Sequence, residues 1–146
     1  MKVITNKNEI LEAVKENGYT LEYASEDLKN DKEVVLEAVK NKGWALQFAS
    51  ERLRDDKEFV LEAVKYHSSR LKYASKRLKN DREIVLEAVK RNCYALRWAS
   101  KRLRDDKELV LIAVEDDDYT LKYASKRLRD DKEFLKEIKT QRNKKV

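Results

Sequence analysis

The sequence contains no proline, two glycines, one cysteine and one histidine among its 146 residues. Tight hairpin turns depend on glycine and proline, so their scarcity argues against sandwiches and barrels. A single cysteine, Cys93, excludes an internal disulfide. A single histidine, His67, argues against a zinc site built on several imidazoles, and no Cys-x-x-Cys pair replaces them. We therefore predict no metal and no cofactor.

Long hydrophobic runs are also missing. The longest, at 109–114, has six residues, whereas a membrane-spanning helix needs roughly 20. Residues 1–7 lack the apolar stretch of a secretory signal. We therefore expect no membrane partner, and a cytoplasmic location.

The most informative feature is an internal repeat, because the chain aligns with itself at a shift of 25 residues. The repeats are 6–30, 31–55, 56–80, 81–105 and 106–130, followed by a partial copy at 131–146. The second and fourth repeats are identical at 16 of 25 positions. We treat residues 1–146 as a single repeat domain.

Each repeat predicts a pair of helices. In the second repeat the apolar residues at 34–39 lie on one side of a helix, and Asn30-x-x-Glu33 resembles a capping box, which predicts a helix start near Asp31. Gly43, like Gly18 in the first repeat, is expected to end that helix in a left-handed conformation. A second helix should then direct Trp44 towards the core and end or distort near Ser50.

One such hairpin is too small to bury its own apolar surface, and stacking completes the core. The predicted fold is therefore all-α, an α-solenoid of five 25-residue helical-hairpin repeats with a C-terminal capping helix. Polar residues at apolar positions, Glu9 at one end and Lys136 at the other, are typical of caps. From Lys139 onwards we expect a fraying basic tail.

The blocks that recur most faithfully are Leu-Glu-Ala-Val-Lys at 36–40 and 86–90, and Tyr-Ala-Ser at 23–25, 73–75 and 123–125. They resemble the repeats of the domain-of-unknown-function family numbered four thousand one hundred and sixteen, over nearly all of residues 6–135. The third repeat departs from the pattern at 67–70. The resemblance implies a helical repeat and no catalytic residues.

Enzymatic activity is not expected. A serine recurs at one position of every repeat, but no base accompanies it, so we interpret it as a hydroxyl that bonds local backbone. These serines are Ser25, Ser50, Ser75, Ser100 and Ser125. Cys93 is interpreted as a small filler, and the acidic run at 116–118 as a solvated turn.

Aromatic residues also recur in two columns. One column is Tyr23, Phe48, Tyr73, Trp98 and Tyr123, and the other is Tyr19, Trp44, Tyr94 and Tyr119. Columns at helical spacing usually belong to the core; the alternative is that partly exposed rings stack on nucleic-acid bases.

Three outward positions around the second helix are cationic throughout repeats three to five. We call these residues the basic ribbon: Lys72, Lys76, Lys79, Arg97, Lys101, Arg104, Lys122, Lys126 and Arg129. The third and fourth repeats carry net charges of +4 and +3, against −3 for the first. An acidic partner would be attracted to such a surface.

Three interpretations of the basic ribbon stay open. It can be a solvated face that pairs with the acidic surface of the first helices. It can bind an acidic surface or segment of a protein partner, the function that we favour because solenoids present extended binding surfaces. The third possibility is binding of RNA or another single strand through phosphate contacts. The oligomeric state is open as well.

Overall fold

A computed structural model describes residues 2–145, and in it the same three elements recur in each of the five repeats. The long helices are α1 (Lys7–Glu16), α3 (Lys32–Asn41), α5 (Lys57–Tyr66), α7 (Arg82–Arg91) and α8 (Lys107–Asp116). Each is followed by a 3₁₀ helix: Gly18–Tyr23, Gly43–Phe48, Ser68–Tyr73, Cys93–Trp98 and Asp118–Tyr123. A short turn of helix ends each repeat: α2 (Glu26–Lys29), α4 (Glu51–Arg54), α6 (Lys76–Lys79), the 3₁₀ turn Leu103–Asp105, and α9 (Lys126–Asp130). Helix α10 (Lys132–Lys145) closes the array, and the predicted all-α repeat fold is confirmed.

The long helices begin at side chains that accept hydrogen bonds from the first turn. The Asp31 carboxylate accepts from the backbone N–H groups of Glu33 and Val34, at 3.0 and 3.2 Å. The equivalent caps are Asn6, Asp56, Asp81, Asp106 and Asp131. The capping box with Asn30 as its cap is therefore wrong by one residue, although the start of α3 is where the pattern predicts it.

The turn after each long helix differs from the prediction. No residue within 2–145 has a positive φ, so Gly18 and Gly43 are not left-handed caps. The chain turns instead through an extended residue: Lys42 has φ −134°, and its N–H still donates to the Ala38 carbonyl at 2.8 Å. The 3₁₀ helix starts directly after it.

The 3₁₀ geometry decides which aromatic rings are exposed. With three residues per turn, positions 44 and 47 lie on one side, whereas an α-helix would place 44 beside 48. Trp44 consequently shares the solvent side with Gln47 and is 59% exposed. The prediction that Trp44 faces the core is wrong, and Tyr94 and Tyr119, its counterparts, are exposed for the same reason.

Successive repeats are joined by backbone hydrogen bonds as well as by apolar packing. The Ser50 N–H donates to the Lys29 carbonyl at 2.9 Å, and the same bond recurs at Ser75, Ser100 and Ser125. In the first repeat the Ser25 N–H donates to Ile4, at 2.8 Å. Residues near the N-terminus thus take the place of a preceding repeat.

The C-terminal segment is helical rather than frayed in the described part. Helix α10 continues to Lys145, and the Lys145 amine lies 3.2 Å from the Glu115 carboxylate. Phe134 and Ile138 bury the inner side of α10 against the preceding repeat. Across residues 2–145, no helix has the length and apolar character that crossing a membrane requires.

Candidate binding surface

The recurrent serines link each repeat to the one before it. The Ser75 hydroxyl accepts from the Leu78 N–H at 3.2 Å, capping α6, and donates to the Asp55 carboxylate. Arg77 completes the link, since its Nε donates to the Asp55 carboxylate at 3.0 Å and its Nη2 to the Asp55 carbonyl at 2.6 Å. The predicted hydrogen bond between the serine hydroxyl and local backbone is confirmed. The hydrogen bond from the hydroxyl to the preceding repeat was not predicted.

This link recurs at every junction between repeats, with asparagine or aspartate as the acceptor. The sets are Ser50, Arg52 and Asn30; Ser100, Arg102 and Asn80; and Ser125, Arg127 and Asp105. Because every junction has the same connection, equivalent residues of successive repeats form columns. Side chains near the serines are therefore placed at regular intervals along the molecule.

The structure places the basic ribbon beside these links. Lys72, Arg97 and Lys122 belong to the 3₁₀ helices. Lys76, Lys101 and Lys126 directly follow the capping serines, and Lys79, Arg104 and Arg129 lie one turn later. Lys79 and Arg104 are half-buried, and the other seven side chains are exposed.

None of the nine basic-ribbon side chains forms an ion pair or a side-chain hydrogen bond with another residue within 2–145. The first repeat contrasts with this, because at the equivalent positions Lys29 pairs with Glu26 at 3.1 Å. The basic ribbon thus presents cations without counter-charges from the described part of the chain.

Several acidic residues of the long helices, and the aspartates that cap them, pair with cations outside the basic ribbon. The first residue of each long helix reaches the capping aspartate of the next, as in the contact of Lys57 with Asp81 at 2.9 Å. On the outer surface, Glu37 pairs with Lys40 and Glu87 with Arg91. Ion pairs between the basic ribbon and the acidic long helices, which the first interpretation invoked, are therefore absent within residues 2–145.

Aromatic rings alternate with three of the basic-ribbon cations. The Lys72 amine lies 5.3 Å from the centroid of the Tyr73 ring and 5.2 Å from that of Trp98. The Arg97 guanidinium lies 4.6 Å from Trp98 and 5.7 Å from Tyr123. Each cation thus bridges rings of two successive repeats, and the attraction between cation and ring helps to hold the side chain in place.

At the C-terminal end the Lys122 amine lies 3.8 Å from the Tyr119 ring and 5.0 Å from Tyr123. We call Lys72, Arg97 and Lys122, together with the rings that they contact, the cation–ring ladder, and each cation with its rings a rung. Tyr23, Phe48, Tyr73, Trp98 and Tyr123 are half-buried or exposed. Neither aromatic column is therefore buried in the core. The cation–ring contacts were not predicted, because the spacing of residues in the sequence does not show which repeats a lysine contacts.

Four cations lie close together where the second and third repeats meet. Burial lowers the pKa of the Lys79 amine, and the charges of Arg54, Lys72 and Lys76 lower it further. The Arg54 Nε is buried and has no hydrogen-bond partner within 2–145, and the Arg104 Nε is in the same situation. Arg54 is therefore a further cation beside the basic ribbon, in the second repeat.

Side chains that could carry chemistry elsewhere are not brought together. Cys93 is 3% exposed, and burial raises the pKa of its thiol to about 11, which suits a filler. Asp118 pairs with Arg142. Residues 2–145 contain no group of three or more histidine, cysteine, aspartate or glutamate side chains placed to hold a metal ion.

A stack of near-identical hairpins that share one core and one pattern of junction hydrogen bonds defines an all-α tandem-repeat protein. Three segments, 6–54, 56–104 and 106–144, match the family model described as Domain of unknown function (DUF4116). The chain belongs to this family. The first two segments each span two of the 25-residue repeats, so the family unit is a pair of hairpins. Neither a search of curated proteins nor one of solved structures gave a match.

Proposed function

We propose that the basic ribbon binds an acidic segment of a protein partner. The observation that supports the proposal is that its nine cations have no carboxylate partner within residues 2–145, while the cations that begin the long helices are engaged in ion pairs. Closely spaced like charges repel one another, so binding of an anionic segment relieves this repulsion as well as forming new contacts.

The aromatic rings favour an acidic polypeptide over a nucleic acid. Stacking of a base requires an open ring face, and Lys72 and Arg97 already lie over the rings of the ladder. A carboxylate needs no open ring, because it can approach the exposed amine or guanidinium from the solvent side. The lysine and arginine stems add apolar surface between the charges.

The test compares two triple variants with the same net charge. The first, Lys72→Glu, Arg97→Glu and Lys101→Glu, reverses the basic ribbon; the second, Lys42→Glu, Lys65→Glu and Lys90→Glu, reverses exposed lysines outside it. Each lowers the net charge from +6 to zero. Fluorescence anisotropy with a labelled oligo-glutamate peptide measures the affinity of each protein.

We expect the basic-ribbon variant to lose at least about tenfold in affinity, because like charges are then juxtaposed, and the control variant to keep most of it. The affinity of the wild-type protein should fall as salt is raised from about 50 to 200 mM, because the contacts are exposed to screening. Equal losses in the two variants, or no binding by the wild type, would reject the proposal.

A second candidate is single-stranded RNA. The Lys122 amine can cover only one face of the Tyr119 ring, and the exposure of Tyr119, 64%, and of Tyr94, 39%, leaves ring surface for a base. These rings lie beside Lys122 and Tyr123 at the end of the ladder. If RNA binds there, Tyr119→Leu weakens RNA binding by about 1 to 3 kcal/mol, the loss of one stacked base. The same substitution should leave the oligo-glutamate affinity almost unchanged.

A further inference from the structure

The regular spacing of the cation–ring ladder restricts the conformation of the acidic segment. We propose that the segment binds as a polyproline II helix with a carboxylate at every third residue, one for each of repeats three to five. This inference rests on the proposed function, and it adds the backbone conformation and the sequence pattern of the ligand.

The contacts between cations and rings limit the distance between successive rungs of the ladder. Lys72 lies between the rings of Tyr73 and Trp98, at 5.3 and 5.2 Å from their centroids. The two centroids are therefore at most about 10 Å apart. Because packed helices usually lie about 8 to 10 Å apart, we take about 8 to 10 Å as the interval between rungs. The Arg97 contacts with Trp98 and Tyr123 set nearly the same limit for the next rung.

A ligand with one carboxylate for each rung needs side chains on one face at this interval. A polyproline II helix has three residues per turn and rises about 3.1 Å per residue, so every third side chain returns to the same face after about 9.3 Å. In a β-strand, side chains return to the same face after about 7 or 13 Å, and neither distance matches the interval between rungs. An α-helix matches only at every seventh residue, about 10.5 Å.

The surface between the charges distinguishes the two conformations that fit. Polyproline II ligands bind aromatic-lined surfaces, where rings and prolines pack together. Here the half-buried Trp98 contacts both Lys72 and Arg97, and the half-buried Tyr123 contacts both Arg97 and Lys122, so a ring lies between successive cations. An extended segment can place one residue of each turn against a ring edge and the next against a cation, whereas an α-helix with one carboxylate in seven leaves most of its residues without a contact.

The ladder also limits the length of the segment. The positions equivalent to Lys72 are Gln47 in the second repeat and Glu22 in the first. Neither attracts a carboxylate, so the ladder covers three repeats. A segment of three turns, with three carboxylates, is sufficient to occupy it.

The experiment uses labelled peptides of one composition and therefore one net charge. In the first peptide glutamates occupy every third position, separated by proline and serine; in the second they occupy every second position; in the third they form one block. A fourth peptide, helix-forming and of the same net charge, has glutamate at every seventh position. Fluorescence anisotropy with the wild-type protein gives the four affinities, and a single-stranded RNA oligomer of equal charge is measured beside them.

We expect the every-third peptide to bind at least about tenfold more tightly than the others, since only that peptide pairs each carboxylate with one rung. Arg97→Gln should remove most of the difference in affinity between the every-third peptide and the others. Lys90→Gln also removes one positive charge, but outside the ladder, and should leave that difference unchanged. Equal affinities, or tightest binding by the every-seventh peptide, would overturn the conformation and leave the proposed function standing. Failure of every peptide to bind, or RNA binding more tightly than all of them, would overturn the proposed function itself.

Discussion

At the scale of single residues, the most unusual feature is Arg70, which is fully buried. Its Nη2 donates to the Val39 carbonyl, while Nε and Nη1 have no partner within residues 2–145. Burial lowers the pKa of Arg70 to about 10, so the side chain is still charged at neutral pH. Ala45 and Ala95 occupy the equivalent position of the neighbouring repeats. A long charged side chain therefore replaces a small apolar one at a single junction.

Gly43 gives Arg70 the space that it needs. A Cβ at position 43 would lie 3.1 Å from the Arg70 Cζ, closer than ordinary contact. We predict that Gly43→Ala destabilises the wild type by about 1 to 2 kcal/mol, and that in an Arg70→Ala background it is neutral or stabilising by up to about 1 kcal/mol, because it removes backbone freedom from the unfolded chain. Urea unfolding of the four proteins measures this coupling.

A second glycine serves as the control. At Gly18 a Cβ would lie 2.4 Å from the Ala38 carbonyl oxygen, a backbone atom of the next repeat. Gly18→Ala should therefore be destabilising whether or not Arg70 is present. An equal cost of Gly43→Ala in both backgrounds would contradict the role assigned to Arg70.

At the scale of elements, the junction between repeats depends on the serine that caps the short helix. Ser75 makes two kinds of contact, with the Leu78 N–H and with the Asp55 carboxylate. Ser25 makes only the first, with Leu28 at 3.4 Å, and within residues 2–145 its hydroxyl meets no acceptor in another repeat. A comparison of the two serines therefore separates the contribution of helix capping to stability from that of the hydrogen bond between repeats.

We predict that Ser25→Ala costs about 1 kcal/mol, the usual value of a helix cap. Ser75→Ala should cost about 0.5 to 1.5 kcal/mol more, since the bond to Asp55 is lost as well. Chemical denaturation of the two variants measures the difference. Equal costs would mean that the bond between repeats contributes nothing to stability.

The long helices carry a pH-sensitive element at their first turn. The Lys32 ammonium, 2.7 Å from the Asp56 carboxylate, lowers the pKa of Asp56, and the Phe59 N–H lowers it further. A folded-state pKa below the unfolded value of about 3.9 means that the stabilisation is complete above that pH. It is lost as the pH falls through the folded-state pKa.

Asp56→Asn tests this contribution, because Asn6 shows that an asparagine can cap a long helix. We predict that at pH 7 the variant is less stable than the wild type by about 0.5 to 1 kcal/mol, the value of a surface ion pair. Below the folded-state pKa the difference should disappear, since both side chains are then uncharged. Thermal unfolding at several pH values provides the measurement. A difference that persists in acid would assign it to the cap rather than to the charge.

The elements also show how far the sequence could predict the structure. The 25-residue period predicted the number and order of the hairpins, because each repeat contains the same apolar pattern. It could not predict the exposure of Trp44, since six residues do not distinguish a period of 3.0 from one of 3.6. The alignment of repeats identified the basic ribbon, but its lack of ion pairs depends on contacts such as Lys57 with Asp81, which join different repeats.

At the scale of the whole molecule, charge is separated into two kinds of surface. The long helices carry both acids and bases, and many of these pair with each other, within one helix or between neighbours. The 3₁₀ and short helices of repeats three to five carry cations alone at the positions of the basic ribbon. A net charge of +6 therefore understates the potential of one surface, because the paired charges largely cancel over a Debye length of about 8 Å.

The buried apolar residues also form two clusters. One cluster extends from Ile10 to Ala63, and the other from Val60 to Ile138, so the two meet at α5. Arg70, which reaches from the third repeat to Val39 in the second, lies at this boundary. A buried charge without a counter-charge weakens the junction that it occupies, so the first two repeats should open separately from the last three.

Native-state hydrogen exchange tests this division. We predict that amides of α1 and α3, which pack in the smaller cluster, exchange through an opening at least about 1 kcal/mol lower in free energy than that for α7 and α8. Arg70→Met replaces the buried charge by an apolar side chain of similar length. It should therefore raise the opening free energy of α1 and α3 and narrow the gap between that value and the one for α7 and α8. Ser25→Ala is the control, because it destabilises the first repeat without changing the boundary and should widen the gap. One opening free energy for all four helices in the wild-type protein would show that the array unfolds as a unit, and that Arg70 lies within a continuous core.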